Sequence, residues 1–247
     1  MLIEAMTMKE FEEGVKRTSS VIIPFGSVEE HGSHLPLGTD TIQAYEICKR
    51  VGERRSVFVC PPIYYGLCRS SSKHPGTISI KSETLRRIVI DIVESLHGQG
   101  LRNFLLFSGH AGGTHLAMIL DAGEELIDRF KDISIGLISY LDVAEEAWKD
   151  ELNCPKDSHA GESETSLMMV FRPEWVKGIS PEEYPKFPKY VLVRDKRSYW
   201  EGGVWGDPTK ASKQKGERLL EKAVEFVVNI IRELEDFSNM KRLDVAT

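Results

Sequence analysis

The chain has 247 residues, of which 41% are hydrophobic and 28% charged, and a formal net charge of −6. That length supports one substantial globular core, and a single domain is expected over 1–247. The acidic balance gives no reason to expect nucleic acid, no run is apolar enough to span a bilayer, and Met1 to Met6 is too short and too acidic for an export signal. Cys48, Cys60, Cys68 and Cys154 lie scattered, which reads as reduced thiols in a cytoplasmic protein.

In chain order, Val21 to Phe25 predicts a buried strand. Thr41 to Arg54 predicts a helix with Asp40 at its N-cap, and Val57 to Cys60 a second strand. Ser82 to Gln99 carries Leu85, Ile88, Val89, Ile92, Val93 and Leu96 on one apolar face, with Ser82 as a plausible cap. Asn103 to Phe107 is a strand, about Thr114 to Phe130 a helix, Ile133 to Tyr140 a strand and Glu162 to Phe171 a helix. Pro173 to Pro208 is irregular and rich in aromatics, and a last helix runs from about Ala211 to Phe237. Strands alternating with helices imply an α/β fold with a mostly parallel sheet covered on both faces. Ligands bind beyond the carboxyl ends of such strands.

Three clusters carry the chemistry. Glu29-Glu30-His31-Gly32-Ser33-His34-Leu35-Pro36-Leu37-Gly38-Thr39-Asp40 follows the first strand. In an extended segment Glu29 and His31 face one side and Glu30 the other, and the turn residues can bring Asp40 back to them. Oxygen and nitrogen donors on one short loop suit a divalent metal. Ser108-Gly109-His110-Ala111-Gly112-Gly113-Thr114-His115 follows a later strand, so both loops should open at the same sheet edge. Ser158-His159-Ala160-Gly161-Glu162-Ser163-Glu164-Thr165 adds an imidazole and two carboxylates at a helix start.

In order and spacing these segments resemble the creatininase (creatinine amidohydrolase) family. Its members carry Glu-x-His-Gly-x-His-Leu-Pro-Leu-x-Thr-Asp, Asn-Gly-His-Gly-Gly-Asn and His-Ala-Gly-Glu-x-Glu-Thr-Ser segments. The likeness spans roughly residues 20 to 216, including Pro75-Gly76-Thr77-Ile78 and Gly203-Val204-Trp205-Gly206-Asp207-Pro208. The resemblance implies a three-layer α/β/α sandwich and a dinuclear hydrolase, with two divalent ions (Zn, Mn or Fe) per subunit. It also implies cleavage of a non-peptide C–N bond in a small-molecule amide, by a homohexamer. Carried over, Glu29 and His110 hold one ion and His31 the other, with Asp40 between them. Creatinine-cleaving members place a further carboxylate where this chain has Gly112, and Glu162 is the candidate replacement. His159 is the matched general acid, and Glu164 serves catalysis by orienting a ligand or His159.

The departures fall around the substrate. Ser108 and Thr114-His115 replace asparagines, Ser158 replaces a Glu, and Ser70 to His74 lacks the usual residues before Pro75. These differences count against creatinine. His34, His74, His115 and Trp205 are the candidates for substrate contact, and His97 is expected to be structural. Gly112 and Ser158 also leave open a metal-stabilised binding protein without turnover.

Overall fold

A computed structural model describes residues 1–154 and 156–245, with side chains through residue 240. Four parallel strands form the sheet: β1 (Ser20–Phe25), β2 (Phe58–Val59), β3 (Asn103–Ser108) and β4 (Ser134–Ser139), in the order β2-β1-β3-β4. Seven α-helices surround it among the described residues. They are α1 (Met8–Val15), α2 (Thr39–Arg54), α3 (Ser82–Gly98), α4 (Gly113–Arg129), α5 (Tyr140–Glu146), α6 (Glu162–Phe171) and α7 (Lys213–Val245). No described helix is long and apolar enough to cross a membrane.

Side-chain alternation along the strands divides the core. Val21, Ile23 and Phe25 of β1, with Phe104 and Leu106 of β3, pack against Leu85, Val89 and Val93 of α3 and Ile119 and Leu126 of α4. Ile22, Leu105 and Phe107 point the other way, onto Ala44, Ile47 and Val51 of α2, Leu167 of α6 and Leu219 and Val227 of α7. The result is the expected three-layer α/β/α arrangement. Each fully buried Leu, Ile or Phe contributes roughly 1.5–3 kcal/mol to it.

The strand order places the site. From β1 the chain crosses through α2 to β2 on one side, whereas β3 and β4 lie on the other. The connections therefore switch direction across the sheet between β1 and β3. In parallel sheets the crevice at such a reversal, beyond the strand ends, receives ligands. The Glu29 loop leaves β1 there and the His110 turn leaves β3 beside it, with Phe25 in register with Ser108.

Two expected caps are corrected. The N-cap of α2 is Gly38, and Asp40 lies within the first turn, its carboxylate drawn to two histidines. The N-cap of α3 is Lys81, with Ser82 already helical and no side-chain cap present. The sequence reading also overlooked α1, which begins on a capping box between Thr7 and Glu10, and α5, which begins on one between Ser139 and Asp142.

Candidate metal centre and its pocket

Asp40 is the hub of the site. Its Oδ1 lies 2.9 Å from His31 Nε2, and its Oδ2 lies 3.1 Å from His110 Nδ1 and accepts the Ser27 hydroxyl at 2.7 Å. Two imidazoles from separate loops thus meet the two oxygens of one carboxylate. Backbone geometry fixes the rest. His31 Nδ1 donates to the Glu29 carbonyl at 3.0 Å, which leaves Nε2 to face Asp40. Gly32 turns the loop at φ +62°, and a Cβ there would press on His34 and Val204.

Glu29 stands on the His110 side. One carboxylate oxygen accepts the Ser71 hydroxyl; Oε2 lies 2.8 Å from His110 Nδ1 but is not aligned for a hydrogen bond. The buried Cys68 thiol joins Glu29 and His110 in a group whose donor atoms lie within 4.8 Å of one another. A second group of the same tightness contains His31, His159 and Glu164. Glu164 Oε2 lies 3.7 Å from His31 Nε2 and accepts the Ala160 amide, while Oε1 faces Gln43 Nε2 at 3.4 Å. His159 Nε2 donates to the Glu30 carbonyl at 2.7 Å, and its ring lies 4.2 Å from that of His31.

The charge in this space calls for a cation. Glu29, Asp40 and Glu164 are all buried, and isolated buried carboxylates are costly. Burial opposes charge on His31 and His110, but Asp40 and Glu164 hold His31 well above the ordinary imidazole value, and Glu29 and Asp40 do the same for His110. Burial likewise resists ionisation of Glu29 and Asp40, and the imidazoles overcome it, His110 for Glu29 and His31 with His110 for Asp40. The unpartnered Glu29 oxygen and the nitrogen-oxygen donor set fit a divalent cation of the Zn, Mn or Fe type.

The structure does not bring Glu162 to this cluster. Its carboxylate accepts the Asn153 and Cys154 amides, each at 2.8 Å, and pairs with the buried Lys215 ammonium. Residues two apart on a helix do not share a face, so Glu164 faces the histidines and Glu162 faces away. Gly112 offers no alternative, because a Cβ there would sit 2.6 Å from His110 Nε2.

Above the donors opens a cavity of about 430 Å³, lined by Glu29, Asp40, His110, His159 and Glu164 below and by Arg69, Lys196, Trp200 and Trp205 above. Of the residues expected to touch substrate, Trp205 lies on this wall. His34, His74 and His115 do not, because each is buried and engaged elsewhere. His34 bridges the Ser180 and Thr165 hydroxyls, and His74 donates to the Trp200 carbonyl at 2.6 Å. His115 sits behind His110, accepting the Leu67 amide and facing the Ser108 hydroxyl. His97 pairs with Asp132 away from the site, as expected of a structural residue.

Four neighbours escaped the sequence reading: Ser27, Gln43, Cys68 and Ser71. None lies within the three sequence clusters: Ser27 follows β1, Gln43 lies on α2, and Cys68 and Ser71 come from the segment after β2. Glu30 was expected to point away from the donors. Its carboxylate accepts the Gly32 amide, while its carbonyl orients His159.

The creatinine amidohydrolase family model matches residues 4–231. The creatinine amidohydrolase of Pseudomonas putida is 30% identical, covering 94% of this chain and 96% of its own. The mycofactocin precursor peptide peptidase of Mycolicibacterium smegmatis is 28% identical over 83% of this chain and 81% of its own. A solved structure of creatininase with Mn superposes with a TM-score of 0.84 at 27% identity, covering 94% of this chain and 97% of that one.

Proposed function

The chain belongs to the creatininase (creatinine amidohydrolase) family and is a hydrolase acting on C–N bonds; on that premise we propose that it cleaves a non-peptide amide, cyclic or formamide-like, in a small molecule. The observation that carries this reading is Asp40, whose two oxygens meet His31 and His110 separately. In the proposal Glu29, Asp40 and His110 would hold one divalent ion and His31, Asp40 and Glu164 the other, so that Glu164 and not Glu162 completes the set.

When bound, such ions supply an ionised water at neutral pH and a Lewis acid for the substrate carbonyl. The protein positions and protonates. The Glu29 carbonyl sets the tautomer of His31, and Ser71 and Ser27 fix the carboxylates of Glu29 and Asp40, so the donors are oriented before substrate arrives. His159 delivers the proton that the departing nitrogen needs. Burial and His31 act against a proton on it, but its hydrogen bond to Glu30 and the charges of Glu29 and Glu30 outweigh them and raise its affinity for that proton. Held by the Glu30 carbonyl through Nε2, the ring keeps one orientation in the cavity. Trp200 and Trp205 pack edge to face above it and narrow the route for bulk water.

The four scattered, buried free cysteines favour a cytoplasmic protomer, and the resemblance a homohexamer. The exposed Tyr190, Val191 and Leu192, in the irregular segment, support a partnered surface there. The test is a panel of lactams, imidazolones and formamides, assayed for ring opening or formate release before chelation, after it, and after Mn²⁺ or Zn²⁺ is returned. Turnover lost on chelation and restored by metal is expected. Metal-loaded protein inert across the whole panel would overturn the proposal in favour of a non-catalytic binding protein.

A further inference from the structure

The wall of the cavity differs in charge from its floor. Arg69, in the segment after β2, and Lys196, in the irregular segment, both line the cavity, with Ser70 between them. Most other basic side chains near carboxylates are neutralised. Arg86 and Arg129 lie in ion pairs with Asp121, Glu125 and Glu94, and Arg50 and Arg172 share Glu46. Arg69 has no such partner among the described residues, and its guanidinium makes no hydrogen bond there. Lys196 is half-buried, and its Nζ donates only to the Ser70 hydroxyl, at 3.2 Å. In a chain with more acids than bases, two unneutralised cations facing one cavity create a local field opposite to the net charge.

We propose that Arg69 and Lys196 form an anion subsite that grips a carboxylate or phosphate of the substrate while its amide lies over the donor floor. This inference rests on the hydrolase reading and names the substrate class within it. The guanidinium presents a planar fork matched to two oxygens of such a group, and the ammonium adds a mobile point charge. The amino end of α4 borders the same cavity with no acidic residue in its first turn, so nothing there offsets the two cations. The cation pair carries the assignment, and the helix end is merely compatible with it.

The test uses metal-loaded full-length protein and two matched pairs of probes. One is 2-formamidoethyl phosphate against 2-formamidoethanol; the other is N-formylglycine against its amide. Binding is read by calorimetry and turnover by formate release, for wild type and for R69Q/K196Q. The charged member of at least one pair is expected to bind about tenfold more tightly or better in the wild type. That preference should vanish in the double variant, while affinity for the neutral member and metal content stay unchanged. The pair that shows the preference tells phosphate from carboxylate. Equal binding of charged and neutral probes, or a preference that survives R69Q/K196Q, would overturn the subsite. Formate release with no charge preference would leave the hydrolase reading standing without it. A preference abolished by R69Q/K196Q without turnover would support the subsite and count against formamide hydrolysis.

Discussion

The floor and the wall of the cavity are built on different principles. On the floor, Glu29, His31, Asp40, His110 and Glu164 are buried, and each is tied from outside the cluster or by its own backbone: by a serine hydroxyl, a peptide carbonyl or an amide. On the wall, Arg69 is exposed, Lys196 half-buried, and the segment carrying Lys196, Trp200 and Trp205 has no strand and only short helical turns. The floor spends its hydrogen bonds on orientation before any ligand arrives, which is what a reaction centre requires. The wall leaves polar groups free for a ligand. A hydrolase fold can therefore keep one chemistry while the segments above it select among substrates.

The sharpest way to break this contrast is Asp40→Asn, which leaves the fold's shape but removes the charge that both histidines share. Outer partners of metal ligands cost 10–100-fold when removed, so loss of Asp40 should lower kcat/KM by more than about 100-fold. Metal content should fall with it. Retention of both metal and rate would show that Asp40 is not the hub.

Next in size is Glu162→Ala. It should unsettle the fold by about 3–5 kcal/mol, because the Lys215 ammonium would stay buried without its partner. Urea midpoints measure this, and the surviving folded protein should keep its metal. A variant that is stable but metal-poor would instead return Glu162 to the floor.

The smallest effect is a pH dependence. His115 is pushed down to about 3, first by burial and then by His110. His34 is pushed down to about 4, by burial and then by His31 and His159. In the unfolded chain both titrate near 6.5. Between their folded values and about pH 6.5 the unfolded state binds more protons, so their contribution is complete above that pH and is lost as pH falls. The urea midpoint of chelated protein should therefore fall more between pH 7 and pH 5 in the wild type than in a His34→Gln/His115→Gln variant, because both proteins share the opposing protonation of His31 and His110. An equal pH dependence in the two proteins would mean these two histidines are not held neutral.

Much of the floor was legible because its donors lie in short segments. Glu29 and His31 sit two apart, where alternation expects them on one side and Glu30 on the other; His31 meets Asp40 and Glu29 stands by His110, but the Glu30 carboxylate comes within 3.5 Å of His159 Nε2. The alternation of strands with helices likewise implied that the loops bearing His31 and His110 share a sheet edge, and they do. The choice between Glu162 and Glu164 failed for want of a long-range fact. A helical turn separates the two carboxylates onto different faces, but which face meets the histidines depends on Lys215, 53 residues further on. Cys68 and Ser71 were illegible for the same reason, since they reach the site only through the segment that returns from β2. His34 and His115 carry ligand-type side chains beside the motifs, yet packing turned both inward to hydroxyl and amide partners. Residue type signals what a side chain could do; burial decides whether it is free to do it.

The most direct test of the two-ion floor is metal stoichiometry, by elemental analysis of protein purified without chelator and reconstituted with Mn²⁺ or Zn²⁺. Wild type should hold two equivalents and Glu164→Gln close to one, with an unchanged thermal midpoint in the chelated state. Two equivalents in Glu164→Gln, or one or none in the reconstituted wild type, would contradict a dinuclear centre completed by Glu164.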